Sequence, residues 1–595
     1  MPATIADRLS LIRQSMSEQA VDAFIIPRAD EYLGEYVPEK NERLLWATNF
    51  TGSAGMAIVL ADTAAIFTDG RYTVQVRQQV DGELFQYLSL VDDPQVEWLI
   101  DTLPSGSTVG IDARLHTLAW YKQAKSKLDQ AGIKLKSVAG NPIDQHWQNR
   151  PSLPQTPITL FSHESAGADS VQKRKQIGEL VAKAGADAAL ISALDSFCWL
   201  LNLRGSDVPR LPVLLGNAIL SANGDMTLFT DTSKLPANAV EHVGAGVSFK
   251  DESELEQALL NLGDIKLLAD PNTANAWSQL TAEQGGASLI AGADPVAIPK
   301  AQKNSAELAG MYASHVRDGA AVSKFLAWLD NQVAQGNMHD EGKLADQLES
   351  YRLPDPLYRE PSFDTISATG ANAAMCHYNH NNGTPATMTP NSIYLVDSGA
   401  QYLDGTTDVT RTIAIGEVTP EQKQMFTLVL KGHISLDLAR FPKGTTGQQL
   451  DAFARQHLWQ YGFDYDHGTG HGVGHFLSVH EGPQRVAKNA NNVPLLPGMV
   501  ISNEPGYYRE DGFGIRIENL VAVRPCEALN GSERETYEFD ALTLIPIDTR
   551  LVDKSLMTAT EINWLNDYHA KVQQTISPLL SGDDLAWLTQ ATRAI

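Results

Sequence analysis

The sequence predicts a multidomain protein with α/β and α+β parts, in which two similar α/β domains precede a larger third domain. Four observations favour this prediction. The chain has 595 residues, enough for about three or four separate cores, and its first half contains an internal repeat. Its last third carries apolar, strand-like runs and helical stretches, and its composition is ordinary for a globular protein.

The internal repeat lies in the first half of the chain. The segment VDAFII at 21–26 recurs as ADAALI at 186–191, and NFTGS at 49–53 recurs as NLRGS at 202–206. In each copy a helix precedes an apolar strand, and Gly-Ser and further strands follow. This pattern predicts two tandem α/β domains, each with a mixed sheet.

Stretches rich in proline and polar residues mark the predicted domain boundaries. Residues 141–159 contain four prolines, a composition typical of linkers, and residues 293–300 have a similar composition. We therefore expect α/β domain I at 1–155, α/β domain II at 156–300 and a third domain with a C-terminal extension at 301–595.

Capping residues place the helices of the third domain. Ser305 is predicted to be the N-cap of a first helix. The segment TPEQ at 419–422 has proline at the first helical position and a capping-box glutamine. A further helix is predicted from the helical spacing of apolar residues, Phe453 and Tyr461 among them, up to a stop at Gly462.

Five potential metal ligands follow one another along the last third of the chain. They are four carboxylates and one imidazole: Asp397, Asp408, His471, Glu504 and Glu518. A donor set this rich in oxygen suits a pair of divalent ions such as manganese or cobalt, and it disfavours a thiolate-bound structural zinc. Two such ions together can activate water for hydrolysis.

The two aspartates are expected to face each other across a hairpin. Asp397 closes one apolar strand and Asp408 begins another, and a hairpin that opposes them is centred between Tyr402 and Leu403. Their Cβ atoms would then lie about 5 Å apart.

The same register test applies to the two glutamates. A hairpin that opposes Glu504 and Glu518 is centred on Asp511, beside two glycines. Opposed like charges are destabilising unless a cation or a proton lies between them. Two such pairs in register therefore indicate a metal site.

A glycine-rich segment carries the histidine ligand. HGTGHGVGH at 467–475 contains too many glycines for the interior of a helix, so we expect a loop that lets His471 approach a ligand closely. Four of the 15 histidines of the chain fall between 467 and 480. We assign no role to His475.

Three longer segments resemble the signatures of a known enzyme family. YLVDSGAQYLDGTTDVTRT at 394–412, HGTGHGVGHFLSVHEGP at 467–483 and EPGYYREDGFGIRIEN at 504–519 are similar to the catalytic motifs of aminopeptidase P. These Xaa-Pro aminopeptidases belong to the pita-bread metallopeptidases. FTDGRY at 67–72 and NLRGSDV at 202–208 resemble the N-terminal half of the three-domain cytosolic type.

This resemblance implies two tandem creatinase-N-like α/β domains followed by a pita-bread catalytic domain. It also implies that Asp397 binds one ion, that His471 and Glu504 bind the other, and that Asp408 and Glu518 bridge them. The favoured ions are two Mn²⁺, with Co²⁺ or Zn²⁺ as alternatives.

The resemblance further implies roles for residues around the metals. His377, His467 and His480 would contact the substrate, and His377, His480 and Glu504 would take part in catalysis. Arg516 would contact and orient the metal ligands without binding the metal itself. The implied activity is a hydrolase that releases the N-terminal residue before proline, using a hydroxide that bridges the two ions, in a homodimer.

Other readings share part of this pattern. A prolidase, which cleaves only dipeptides, has the same five ligands. Methionine aminopeptidase uses metal ions in the same way. Two full N-terminal domains and the long C-terminal extension favour the aminopeptidase. A catalytically inactive relative acting as a binding module typically lacks several of the ligands, and all five are present here.

Composition narrows the partners and the compartment. The net charge of −25 argues against binding nucleic acid through a general basic field. We expect no membrane span, since no run reaches about 18 apolar residues. Three widely separated cysteines suit a reducing compartment, and the charged N-terminus lacks a secretory pattern, so a cytoplasmic location is expected.

Overall fold

The chain forms two compact units, residues 1–297 and 298–595, in a computed structural model that describes residues 4–526 and 529–595. The first unit contains two six-stranded sheets. The strands of the first sheet are β1 Ala23–Pro27, β2 Met56–Leu60, β3 Ala64–Thr68, β4 Gln86–Ser89, β5 Thr108–Ile111 and β6 Lys134–Ser137. The helices around it are α1 Ile5–Glu18, α2 Arg43–Thr48, α3 Thr73–Gln79, α4 Gln95–Thr102, α5 Leu118–Gln130 and α6 Pro142–His146.

The second half of this unit repeats the arrangement. Its strands are β7 Thr159–Leu160, β8 Ala188–Ile191, β9 Leu203–Arg204, β10 Asn217–Ser221, β11 Met226–Phe229, β12 Val247–Lys250, β13 Lys266–Ala269 and β14 Ser288–Ala291. Its helices are α7 His163–Ala166, α8 Ser170–Lys183, α9 Leu194–Leu201, α10 Ala239–Val243, α11 Leu255–Leu260 and α12 Ala276–Gln284.

The two sheets have the same topology. The strand orders are β4-β3-β2-β1-β5-β6 and β12-β11-β10-β8-β13-β14, and in both the central strand has one antiparallel and one parallel neighbour. Asn49 and Asn202, which correspond in the sequence repeat, each end a helix with a positive φ, 68° and 50°. The predicted tandem of mixed α/β folds is therefore confirmed.

The second unit has its own set of elements. Its helices are α13 Ala297–Ala301, α14 Ser305–Ala334, α15 Glu341–Arg352, α16 Pro420–Asp437, α17 Gly447–Trp459, α18 Ala559–Ile576 and α19 Gly582–Ala591. Its strands are β15 Tyr358–Pro361, β16 Ile366–Thr369, β17 Ser392–Ser398, β18 Ala400–Tyr402, β19 Gly405–Thr406, β20 Val409–Ile415, β21 Arg440–Pro442, β22 Gly470–Gly472, β23 Glu481–Val486, β24 Val500–Asn503, β25 Gly506–Arg509, β26 Phe513–Arg516, β27 Asn519–Pro525 and β28 Thr536–Ala541.

Antiparallel sheets backed by helices form the second unit. The strand orders are β15-β18-β19, β16-β17-β20, β21-β28-β27-β24-β22-β23 and β25-β26. Helix α16 buries Phe426 and Leu430 in one hydrophobic cluster with Ile515 and Ile517, which flank the end of β26. This apolar contact between helix and sheet excludes water from one side of the loops that follow β24 and β26.

The helix starts of this unit agree with the sequence in one case and differ in another. Helix α16 begins as predicted, with Thr419 as N-cap in a capping box with Gln422. The N-cap of α14 is Asn304 and not Ser305, because the Asn304 side chain accepts from two backbone amides and Glu307 completes its capping box.

Helix α17 ends earlier than predicted. Its last residue is Trp459, and Gly462 follows in a turn with a φ of 79°. Phe453 and Tyr461 are 42% and 46% exposed, so neither side chain packs into the core. Across the part of the chain that the structure describes, no helix is both long and apolar enough to cross a membrane.

Candidate metal centre

The hairpin that carries the two aspartates is shifted by two residues from the predicted register. Asp397 pairs with Thr410, and the turn is centred between Leu403 and Asp404. Direct opposition of Asp397 and Asp408 is therefore wrong, and the two residues are diagonal neighbours. A shift of two residues preserves the face to which each side chain points, so both carboxylates still lie together.

A tertiary contact explains this shift. A Cβ atom at Gly405 would collide with the Ser314 side chain of helix α14, so this glycine lies in strand β19 against the helix and not in the turn. Asp404 forms an ion pair with Arg317 of the same helix. The position of the turn is thus set by packing against α14.

The hairpin that carries the two glutamates has the predicted register. The pair Asn503–Asn519 and the β25–β26 ladder on the other side of Glu504 and Glu518 share one register, centred on Asp511. Asp511 has a φ of 56°, the left-handed conformation that this tight turn requires.

At both glutamates the backbone bonds to another segment. The Glu504 amide donates to the Thr469 carbonyl at 2.8 Å, and the Glu518 amide donates to the Thr410 carbonyl at 3.1 Å. The first bond ties the glutamate hairpin to the glycine-rich histidine segment. The second ties it to the aspartate hairpin, so all three ligand-bearing segments meet.

The ligand atoms of the five predicted residues converge in this region. They form overlapping groups whose ligand atoms lie within 4.8 Å of one another: Asp397, Asp408 and Glu518; His471, Glu504 and Glu518; and Asp408, His471 and His480. Asp408, Glu518 and His471 each belong to two groups, but only Asp408 and Glu518 are grouped both with Asp397 and with His471. Such sharing is the arrangement that two neighbouring ions require of bridging ligands.

Two carboxylate oxygens at this centre have no other function in the structure. Asp397 Oδ1 and Glu518 Oε1 are buried and accept no hydrogen bond from any residue in 4–526 or 529–595. A buried unsatisfied acceptor costs about 1–3 kcal/mol, and more when it is charged. A pair of divalent cations would satisfy both atoms, so the donor set fits a dinuclear metal site.

His471 presents one ring nitrogen to this centre. Its Nδ1 donates to the Gly472 carbonyl at 2.8 Å, so in the neutral imidazole Nε2 carries the lone pair that can bind a metal. Nε2 lies 3.4 Å from Asp408 and 3.5 Å from Glu504, too far for a strong hydrogen bond. The gap between these ligand atoms leaves room for an ion.

The electrostatics of the metal-free centre favour bound protons. Burial raises the pKa of Asp397 to about 7, with Arg516 opposing and Asp408 adding to the shift. Burial also raises the pKa of Glu504 and of Glu518. Burial lowers the pKa of His471, but Asp408 and Glu504 outweigh it and raise that pKa to about 9. Cations would replace these protons.

Arg516 supports the aspartate side of the centre. Its Nη2 donates to Asp397 Oδ2 at 2.6 Å, and its Nε donates to the Thr410 hydroxyl at 3.1 Å. That hydroxyl in turn donates to Glu518 Oε2 at 2.8 Å. One guanidinium therefore orients two of the carboxylates.

Tyr508 joins Arg516 to a predicted substrate residue. Its hydroxyl accepts from Arg516 Nη1 at 2.6 Å and lies 2.8 Å from His467 Nε2. Because His467 Nδ1 donates to the Gly468 carbonyl, the tyrosine hydroxyl donates to Nε2. Sequence reasoning missed Tyr508, since nothing in its neighbourhood along the chain points to His467.

The other two predicted histidines differ in their relation to the centre. The His480 ring lies 4.3 Å from the His471 ring, edge to face, and shares a ligand group with it. His377 is half-buried in the turn after the 3₁₀ segment Gly370–Ala374 and is outside those groups. The next residue, Tyr378, donates to the buried Glu341 carboxylate at 2.8 Å, which anchors this turn.

Sequence comparison divides the chain into four matched regions. The profile of the Creatinase/Prolidase N-terminal domain matches residues 8–145, and a second profile of that description matches 149–307. Metallopeptidase family M24 matches residues 309–525, and the C-terminal region of peptidase M24 matches 535–595. The fold class predicted from the sequence is thereby confirmed.

Similar proteins cover the whole chain. Aminopeptidase P2 of Arabidopsis thaliana is 39% identical over 99% of this chain and 89% of its own length. A probable Xaa-Pro aminopeptidase P of Tuber melanosporum is 39% identical over 99% of both chains. The crystal structure of X-prolyl aminopeptidase from Caenorhabditis elegans, described as a cytosolic enzyme with a di-nuclear active site, covers both chains completely at 34% identity with a TM-score of 0.95.

Proposed function

The chain belongs to the aminopeptidase P group of metallopeptidase family M24, and on this premise we propose that it is a metal-dependent aminopeptidase. It releases the N-terminal residue from peptides with proline in the second position. One observation carries the proposal: two hairpins and a histidine segment bring the ligand atoms into overlapping groups, with two buried oxygens left unsatisfied.

We propose that the five ligands hold two divalent ions in the predicted order. Asp397 would bind one ion, and His471 and Glu504 would bind the other. Asp408 and Glu518 would bridge the two ions, which is supported by the fact that each is grouped both with Asp397 and with His471. When bound, the ions lower the pKa of a water so that it ionises near neutral pH, and they polarise the substrate carbonyl. Mn²⁺ is the proposed native ion, with Co²⁺ and Zn²⁺ as alternatives that the same donors accept.

Residues around the ligands position the peptide and move protons. His480, beside His471, is placed to donate a hydrogen bond to the carbonyl oxygen on which negative charge develops. Glu504 carries a proton to the proline nitrogen as the bond breaks. His377 and His467 contact the substrate, and the Tyr508 hydroxyl fixes His467.

Domain boundaries and assembly are part of the same proposal. We propose domains at 1–155, 156–300 and 301–595, which the matched regions support. A homodimer is supported by large aromatic side chains that are exposed on α17 and in the residues that follow it. These are Phe453, Trp459, Tyr461 and Phe463. A cytoplasmic location is supported by the description of the Caenorhabditis elegans enzyme as cytosolic.

Peptide hydrolysis with and without metal tests the function. Protein treated with a chelator and then reloaded with Mn²⁺ is given an Arg-Pro-Pro tripeptide and, separately, an Xaa-Pro dipeptide. We expect the first residue of the tripeptide to be released only after metal is returned. Cleavage of the dipeptide alone would identify a prolidase instead, and metal binding without hydrolysis of either would identify a binding module.

A further inference from the structure

A buried cluster of three charged side chains packs against the glycine-rich histidine segment at 467–475. The Glu481 side chain is completely buried and forms ion pairs with Lys300, at 3.0 Å, and with Lys303. The two lysine side chains are 4% and 1% exposed. Two ammonium groups and one carboxylate therefore share a site that is closed to solvent.

Glu481 is the first residue of β23, which pairs with β22, the strand that contains His471. It follows His480 directly, and its backbone pairs with Gly472, the neighbour of His471. A Cβ atom at Gly474 would lie 3.1 Å from Glu481 Oε2, so the glycine-rich segment packs against this carboxylate. The carboxylate thus fixes the point at which both histidine segments meet.

The two lysines bring a third segment to this junction. Lys300 lies in helix α13, and Lys303 lies just before the N-cap of α14, whereas Glu481 begins β23. Burying charges is costly unless they are paired with good geometry, so this cluster specifies one arrangement of the three segments. Glycine-rich backbone alone has too much conformational freedom to hold an imidazole in place.

We propose that Glu481 is a positioning residue for His480, held in turn by Lys300 and Lys303. This inference rests on the proposed function, because it acts through the hydrogen bond that His480 gives to the substrate carbonyl. Glu481 itself touches neither substrate nor metal ligand atom in this scheme. Its effect is on the placement of the His480 ring relative to His471.

Replacing the charge tests the proposal. In the metal-loaded enzyme, Glu481→Gln should lower kcat about 10- to 100-fold, the usual effect of losing a supporting partner, while KM stays within about twofold. Metal analysis should still find two ions per chain. Unchanged kcat, or loss of a metal, would overturn the assignment.

A double-substitution experiment separates positioning from general damage. If Glu481 acts through His480, adding Glu481→Gln to His480→Ala should lower kcat no further, within about twofold. Multiplied losses would refute the inference. An active His480→Ala enzyme with wild-type kcat would instead refute the proposed role of His480, so the two failures are distinct.

A matched ion pair provides the control. Glu561 pairs with Lys431 at 2.7 Å, with side chains 10% and 11% exposed, between helices α16 and α18 of the same unit. Glu561→Gln should lower Tm but leave kcat unchanged. If Glu481→Gln does not fold, Lys303→Met should lower kcat in the same way and Lys303→Arg should restore it; equal activity of both would contradict the proposal.

A structural readout does not depend on activity. In crystals of the metal-free Glu481→Gln protein, the His480 ring should be displaced from its edge-to-face contact with His471. A ring that stays in place, within coordinate error, would overturn the inference whatever the kinetics show.

Discussion

Arg516 and Asp397 form a buried ion pair at the edge of the ligand cluster, with Nη2 and Oδ2 2.6 Å apart and side chains 2% and 10% exposed. Burial raises the pKa of Asp397 to about 7, and the guanidinium opposes that rise. The arginine therefore limits the rise in the pKa of Asp397 and favours the ionised carboxylate, the form that can bind a cation.

Replacing Arg516 by methionine should weaken metal binding. Without the guanidinium, the pKa of Asp397 rises further and the carboxylate loses its orientation, so we expect metal affinity to fall about 10- to 100-fold. Titration calorimetry with Mn²⁺ measures this directly. Arg524→Met removes a half-exposed arginine from β27 and should leave the affinity for Mn²⁺ unchanged. Equal affinities in the two variants would show that Arg516 has no part in metal binding.

Removing a bridging ligand should be more severe. Glu518→Ala and Asp408→Ala each take a shared carboxylate from both ions, whereas loss of a merely supporting group already costs about 10- to 100-fold. We expect activity to fall by more than that range and the bound metal to drop below two ions per chain. Near-normal turnover with both ions retained would contradict the bridging assignment.

The success and failure of the register predictions have physical causes. The glutamate hairpin was predictable because its tight turn at Asp511, beside Gly512, is local. The aspartate hairpin was not, because the contact of Gly405 with Ser314 decides its turn, and that helix lies far away in sequence. The error was harmless to the site only because it was an even number of residues.

Supporting residues lay beyond sequence reasoning for a related reason. Tyr508 and Glu481 gain their roles from partners on other segments, His467 and Lys303. A local pattern indicates which residue types are present and which face they share, but it does not identify partners from a distant segment. The convergence of the five candidate ligands was predictable because their chemistry is unusual and their spacing follows β periodicity.

Metal should stabilise the protein more as pH rises. The pKa of Asp397 is raised from 3.8 to about 7 and that of His471 from 6.5 to about 9, so both groups bind protons more tightly in the folded, metal-free protein. The stability that each group adds to the metal-free protein is fully present below the unfolded pKa of that group. It is lost as pH rises through about 7 for Asp397 and about 9 for His471.

Thermal unfolding with chelator and with Mn²⁺ measures this between pH 6 and 9. We expect Tm of the metal-free protein to fall with pH, and the increase in Tm on adding Mn²⁺ to grow, since the ions occupy the site that protons leave. A metal-induced increase that is the same at every pH would contradict the linkage.

The buried pair Asp318–Arg352 should be important for stability. The closest atoms of the pair are 2.7 Å apart. Asp318 also accepts from the Tyr402 and Thr407 hydroxyls, on the hairpin that carries Asp397 and Asp408. Asp318→Asn leaves a buried arginine unpaired, so the free energy of unfolding should fall by about 3–5 kcal/mol.

Urea unfolding of the metal-free protein measures this loss. The exposed pair Lys443–Glu535 is the control, because its side chains are 60% and 56% exposed. Lys443→Met should change the free energy of unfolding by at most about 1 kcal/mol. If the two variants are equally stable, the buried pair is not a structural anchor of the aspartate hairpin.

The exposed aromatic residues near the end of α17 make the dimer testable. Trp459 is 46% exposed, and Tyr461 and Phe463 follow it within the same short stretch, a concentration of apolar area that a monomer rarely leaves open to water. Aromatic side chains at the centre of an interface often dominate its binding energy. Trp459→Glu should therefore convert a dimer into a monomer in light scattering coupled to gel filtration.

Leu353→Glu is the control. Leu353 is 61% exposed at the end of α15, so this substitution should leave the measured mass unchanged. A wild-type protein that is already monomeric, or a Trp459→Glu variant that stays dimeric, would place the interface elsewhere or exclude it.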